Sequence, residues 1–169
     1  ARAQSDRRVV PTSLGLLRGF TTPDDEAWGF YGIPYAKAPL GDLRWKPPLD
    51  HDGWWGVREA IAWSDQSAQD PANEAFGEGG MSEDSLYLNV TVPKDAGDEP
   101  LPVMVWFHGG GFAILTGNTK GFNNTSLPGE GTIVVTVNHR LGPFGYMAHP
   151  ALTAESENRA SGNYGQLDL

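Results

Sequence analysis

The sequence predicts an α/β fold whose mixed or parallel central sheet is preceded by a small antiparallel hairpin or meander. Two runs, "PVMVWF" (Pro102 to Phe107) and "TIVVTVN" (Thr132 to Asn138), are apolar without polar alternation, as expected of strands buried on both faces of a layered sheet. A third run, "LYLNVTVP" (Leu86 to Pro93), is a further strand candidate ahead of them. The composition allows such a core: 169 residues, 39% hydrophobic, with six Trp and seven Phe, suffice for one domain.

Taken in order, residues 8–35 read as short strands and turns. "RVVPTSLGLLRGF" is followed by an acidic tip, "TTPDDE", and then by "AWGFYGIPYA". "KAPLGDLRWKPP" carries turn formers and closes on two prolines, so it should run extended over the surface with Trp45 packed inward. Trp54 and Trp55 are expected to anchor that segment rather than to form a binding platform. "SDQSAQDPANEAFGEGG" (Ser64 to Gly80) is polar, acidic and glycine-ended, a loop with one helical turn near Ala72 to Ala75. No repeat, heptad or low-complexity tract interrupts a single-domain reading.

Charge and rare residues exclude several functions. Twelve basic residues against 21 acidic ones, a formal net charge of −9, lack the basic face that nucleic acid or an anionic membrane would require. No apolar run approaches the ~20 residues of a membrane-spanning helix. The absence of cysteine removes disulfides, thiol nucleophiles and zinc-thiolate sites together. His51, His108, His139 and His149 show no i, i+4 or HxH spacing with carboxylates, so neither metal nor cofactor is expected. The opening "ARAQSD" has the small-residue A-x-A pattern left near a signal-peptidase site. Export is one reading of it, an arbitrary start of a cytoplasmic protein the other.

The chemistry concentrates where "VMVWF" breaks into His108, Gly109, Gly110 and Gly111. Three consecutive glycines directly after a strand carry a large entropic cost that function must justify. A phosphate cradle fails on spacing: no GxxxxGK[ST] is present, and Gly109, Gly111 and Ile114 break the GxGxxG pattern. An oxyanion hole fits better, because residues without side chains let two backbone N–H groups approach a developing alkoxide.

Five motifs in order resemble the type-B carboxylesterase and cholinesterase family: "FYGIPYAKAPLGDLRWKPP", "SEDSLYLNV", "WFHGGGF", "VTVNHRLGPFGYMA" and "SGNYGQLDL". The resemblance implies an α/β-hydrolase fold, with residues 1–169 the amino-terminal part of a single catalytic domain. It implies a serine carboxylic-ester hydrolase in which Gly110 and Gly111 donate the two oxyanion hydrogen bonds, Gly109 gives the turn its freedom and His108 positions it. It also implies structural ion pairs Arg44–Glu83 and Arg140–Asp168, so that Asp168 is not the catalytic acid. Phe112, Leu115, Phe122 and Phe76 fall where relatives line the acyl or alcohol pocket, with ordinary packing as the alternative. A non-catalytic, cholinesterase-like adhesion protein is the competing class.

Three departures from the family pattern stand out. Ser67 and Ser85 occupy the positions of a usual disulfide, so the loop between them should be more mobile. Where cholinesterases place a Trp for quaternary ammonium, only Ala75 and Phe76 are available. No G-x-S-x-G occurs, and Ser13, Ser126 and Ser161 read as loop serines. The nucleophile, acid and histidine are therefore expected beyond residue 169, on a complementary segment or chain that would cover an apolar sheet edge left at "TIVVTVN". Asn89, Asn123 and Asn124 stand in N-x-[ST] sequons, Asn89 inside a strand motif.

Overall fold

A computed structural model describes residues 7–95, 97 and 99–169. The A-x-A-like start at residues 1–6 lies outside these.

The amino terminus folds as a hairpin, β1 (Val9–Thr12) and β2 (Gly15–Arg18), antiparallel with Thr12 opposite Gly15. Thr12 closes the turn, its Oγ1 accepting from Leu14 N and donating to Gly15 O. Pro11 is accommodated because β1 is the edge of this sheet and needs no further donor. A second hairpin joins β3 (Phe20–Thr21) to β4 (Ala27–Pro34) around the acidic tip. Trp54 Nε1 donates to Leu16 O at 2.8 Å, and its ring packs on the Leu17, Phe30 and Ala60 cluster. β5 (Val57–Glu59) then adds to β2 in parallel. Trp55, expected as a second anchor, is instead fully exposed. The chain bends at Trp55 and Gly56, between glycines of positive φ, so only Trp54 reaches the core.

The main sheet has the order β3-β4-β8-β10-β9, with β8 (Tyr87–Pro93), β9 (Val103–Phe107) and β10 (Ile133–Val137). It is mixed. β4, β8 and β10 pair antiparallel, and β10 and β9 pair parallel with Val103 opposite Ile133 and Phe107 opposite Val137. The loop of residues 64–80 contains β6 (Gln66–Ser67), paired in parallel with β7 (Met81–Ser82), and one 3-10 turn, Pro71–Phe76, capped by Asp70. Four short helices complete the described chain: α1 (Ser126–Gly129), α2 (Gly142–Tyr146), α3 (Pro150–Glu155) and α4 (Tyr164–Leu167).

Two expectations about the sheet are corrected. The strand expected at the open edge, Ile133–Val137, lies inside, between β8 and β9. The crossover of residues 108–132 returns the chain to the inner side of β9, so the edge is Val103–Phe107. That strand, expected to be buried on both faces, exposes Val103, Val105, Trp106 and Phe107. It has one ladder partner among the described residues, and little packs over its faces.

A buried amide network fastens the crossover to the sheet. Asn89 on β8 donates to Asn118 Oδ1 at 3.0 Å and to Thr136 Oγ1 at 3.1 Å, and Thr136 donates onward to Asn123 Oδ1 at 2.9 Å. Asn138 donates to Asn118 Oδ1 and accepts from Thr116 Oγ1 and Gly117 N, both at 2.8 Å. Asn89 also accepts from Gly32 N at 3.0 Å, where the β4–β8 register shifts between Phe30 and Ile33 and Gly32 takes φ +67°. A bulge frees that N–H from the ladder, and a side chain supplies its partner. Asn89 is therefore structural and Asn123 is buried, which leaves Asn124 as the exposed sequon.

Two arginine–carboxylate pairs tie the loops together. Arg44 is half-buried and bidentate to Glu83. Arg140 and Asp168 are buried, with Asp168 accepting from Arg140 N, Nε and Nη2. Removing one charge from such a pair strands the other in low dielectric. Asp168→Ala is expected to lower stability by about 3–5 kcal/mol in a urea unfolding series. A loss under about 1 kcal/mol, the range of exposed pairs, would show that solvent reaches Arg140.

Candidate active site

β9 delivers the chain to the glycines. His108, buried at its end, stacks on His139 just past β10, ring centroids 4.6 Å apart at 18°. His108 Nδ1 lies 2.8 Å from Gly109 O and His139 Nδ1 lies 3.2 Å from Arg140 O. A carbonyl only accepts, so His108 Nδ1 carries the proton of a neutral ring. His108 Nε2 is left buried with no partner among the described residues. Burial pushes the His108 pKa down to about 4 and lowers that of His139. His108 thus supports the turn from beneath as a neutral ring.

The turn itself departs from right-handed backbone. Gly110 has φ +117° and Gly111 +60°, and the handedness continues into Phe112 at +65° and Leu115 at +78°. A Cβ on Gly110 would meet Ile114 O at 2.0 Å, because Ala113 N and Ile114 N both fold back to donate to Gly110 O. Among the described residues the amides of Gly110 and Gly111 donate no hydrogen bond, and Gly111 is exposed.

Around the turn, the Phe112 ring packs on Tyr146 at 4.8 Å and Gly142 N donates to Phe112 O at 2.7 Å. Phe122 packs on Trp106 of β9 at 5.2 Å, and Phe76 is exposed on the 3-10 turn of residues 71–76. No ring contact among the described residues joins Phe76, Phe112 and Phe122. Leu115 is half-buried and engaged on both backbone atoms by Gln69, a residue without any sequence signal. Ser67 and Ser85, both buried, are joined by a 3.0 Å hydrogen bond, and Ser67 Oγ also donates to His139 O at 2.5 Å. Ser161 bonds Thr153 and the His149 backbone. Among the described residues no three His, Asp or Glu side chains stand close enough to hold a metal, and no helix is long and apolar enough to cross a membrane.

These features define an α/β-hydrolase fold carrying a glycine turn at the end of a sheet strand. The sequence profile of the carboxylesterase family matches residues 6–169. The chain belongs to that family. It is 40% identical, over its whole length, to the fumonisin B1 esterase of Sphingopyxis macrogoltabida, covering 31% of that protein. It is also 40% identical to the para-nitrobenzyl esterase of Bacillus subtilis (strain 168), with 95% of this chain and 32% of that protein covered. The carboxylesterase EST55 of Geobacillus stearothermophilus superposes with a TM-score of 0.81 at 37% identity, over 95% of this chain and 32% of that structure. The chain therefore spans about a third of the length of these relatives.

The neutral histidine stack has a pH signature. The folded state holds His108 to a pKa of about 4, whereas the unfolded chain has the ordinary 6.5, so between those values the unfolded state binds more protons. Stability is expected to fall as pH drops from about 6.5, His108 alone contributing a loss of roughly 3 kcal/mol by pH 4. His108→Asn should flatten the stability curve across that window in urea unfolding at stepped pH. Parallel curves for the two proteins would contradict a neutral, buried His108.

Proposed function

We propose that this chain forms the oxyanion-binding part of a serine carboxylic-ester hydrolase, the nucleophile, acid and general-base histidine residing on a complementary segment or chain. The observation that carries the reading is the positive-φ glycine turn at the end of β9, on which Gly110 N and Gly111 N donate no hydrogen bond among the described residues. In this reading the serine Oγ attacks the ester carbonyl carbon and passes its proton to the histidine. The carbonyl oxygen becomes an alkoxide held by the Gly110 and Gly111 amides. Collapse expels the alcohol, which takes the proton, and water then releases the acid from the acyl-enzyme by the same steps.

Several features favour ester chemistry. Family membership supports it, as do relatives named as esterases of a fumonisin and of para-nitrobenzyl esters. Phe112 and Leu115 follow the glycines directly and are pocket-wall candidates, with Phe122 and Phe76 as further candidates on the loops. Nothing beside Phe76 supplies the indole that a quaternary ammonium group would want.

The test is made on the full protein containing this chain, with an aryl ester and a fluorophosphonate probe. Gly111 tolerates a Cβ sterically but not conformationally, since β-branched residues avoid its φ of +60°. Gly111→Val is expected to lower kcat/KM by about 10²–10³-fold while the protein remains folded by circular dichroism. Unchanged turnover in that variant would remove the assignment of the amides. A full protein with an intact serine that neither turns over ester nor takes the probe would favour the binding-protein class.

A further inference from the structure

The turn after β9 holds non-glycine residues in left-handed backbone at two places, Phe112 and Leu115. Such conformations persist only where neighbouring groups over-determine them. Phe112 is held by Gly142 N on its carbonyl and by Tyr146 under its ring. Leu115 is held by one side chain: Gln69 Oε1 accepts from Leu115 N at 2.9 Å and Gln69 Nε2 donates to Leu115 O at 3.0 Å. The side-chain amide satisfies both backbone groups of a residue 46 positions away, as a neighbouring strand would.

Gln69 has a firm base from which to do this. Its neighbour Ala68 donates to Ser82 O at 3.0 Å, and Gln66 N donates to Gly80 O at 2.7 Å. Ser67 bonds both Ser85 and the carbonyl of His139, whose ring lies under His108. Residues 66–69 therefore touch the glycine turn at both ends, through His139 and His108 before the glycines and through Leu115 after them.

We propose that Gln69 is a positioning residue for the oxyanion-binding amides. The inference rests on the hydrolase reading given above. Ala113 N and Ile114 N close the turn onto Gly110 O, so the peptide planes of Gly110 and Gly111 are set by where the chain is pinned on either side of that closure. With Gln69 in place, Leu115 is held at φ +78° and the turn cannot unwind toward β-region backbone. Without it, Leu115 relaxes, the turn loosens from its carboxyl end and the two amides diverge. Substrate binding does not depend on that alignment, whereas stabilisation of the alkoxide does.

The experiment compares wild-type full protein with Gln69→Leu and Gln69→Glu. Gln69→Leu keeps the volume and removes both hydrogen bonds to Leu115 together with the Nε2 donation to Ser67 O; kcat is expected to fall by about 100-fold with KM changed little, because displacement of catalytic donors acts on the transition state. Backbone hydrogen exchange at Leu115 should accelerate in the same variant. Gln69→Glu supplies the clamp only when its carboxyl is protonated, with a hydroxyl for Leu115 O and a carbonyl oxygen for Leu115 N. Its activity relative to wild type, measured at each pH from 8 to 5, is therefore expected to rise as pH falls, a rescue that loss of general stability would not give. A thermal midpoint for each variant establishes that it is folded at the assay temperature. If wild type is active and folded Gln69→Leu keeps its kcat, or if the Gln69→Glu ratio is flat with pH, the role of Gln69 is overturned while the hydrolase reading stands. If wild type neither hydrolyses the ester nor takes the fluorophosphonate, the hydrolase reading fails and this role fails with it.

Discussion

The structure depends on one constraint: the crossover from β9 to β10 carries an irregular buried stretch, residues 116–118 with Asn123, whose polar groups need partners. Helices and strands satisfy their own backbones, but residues 116–124 form neither. The asparagines do it instead. Asn123 Nδ2 donates to Gly117 O at 2.7 Å and to Thr119 O at 2.8 Å, and Asn118 Nδ2 donates to Ser64 O at 2.8 Å. Each amide offers a donor and an acceptor at one site, so four of them link β8, β10, the crossover and the acidic loop into one hydrogen-bonded body. In a low-dielectric interior such a network is strong when complete and costly when one member is lost.

That body explains where the glycine turn can be. The turn is suspended between two fixed points, the end of β9 with the His108–His139 stack and the crossover held by Asn138 and Gln69. Gly117 lies within 3.1 Å, by the position its Cβ would take, of the Val137 backbone, so the crossover is drawn tightly over the end of β10. Between these points the chain is long enough to turn and too short to choose its own path. Left-handed backbone at Gly110, Gly111, Phe112 and Leu115 is the geometric result. Preorganisation of this kind is what a receptor for transient charge requires, since donors already aimed need no reorganisation when the charge develops.

The hairpins, the three long strands and the glycine turn were legible because each is written locally: turn residues between alternating runs, apolar continuity, and glycine where φ must be positive. The 3-10 turn at Pro71–Phe76 matches the helical turn expected near Ala72 to Ala75. Topology was not. Apolar continuity shows that Val103–Phe107 and Ile133–Val137 are strands but carries no information on their spatial order, so the open edge was assigned to the wrong one. Trp54 and Trp55 are identical in type, and only the bend at Trp55 and Gly56 separates anchor from solvent-facing ring. The arginine–carboxylate partners came from family resemblance, because pairs separated by 39 and 28 positions leave no periodic trace. Gln69 left none either: a glutamine in a polar loop gains its meaning only once folding brings Leu115 beside it.

In the proposed hydrolase, Gly110 N and Gly111 N receive the charge of the reacting carbonyl. A crystal structure of the full protein after reaction with a fluorophosphonate tests it most directly, since the phosphonyl oxygen occupies the position of the alkoxide. The account requires that oxygen at about 2.7–3.1 Å from both amide nitrogens, with His108 still stacked on His139. A phosphonyl oxygen directed to solvent or to another set of donors, with the glycine amides still unengaged, would contradict it.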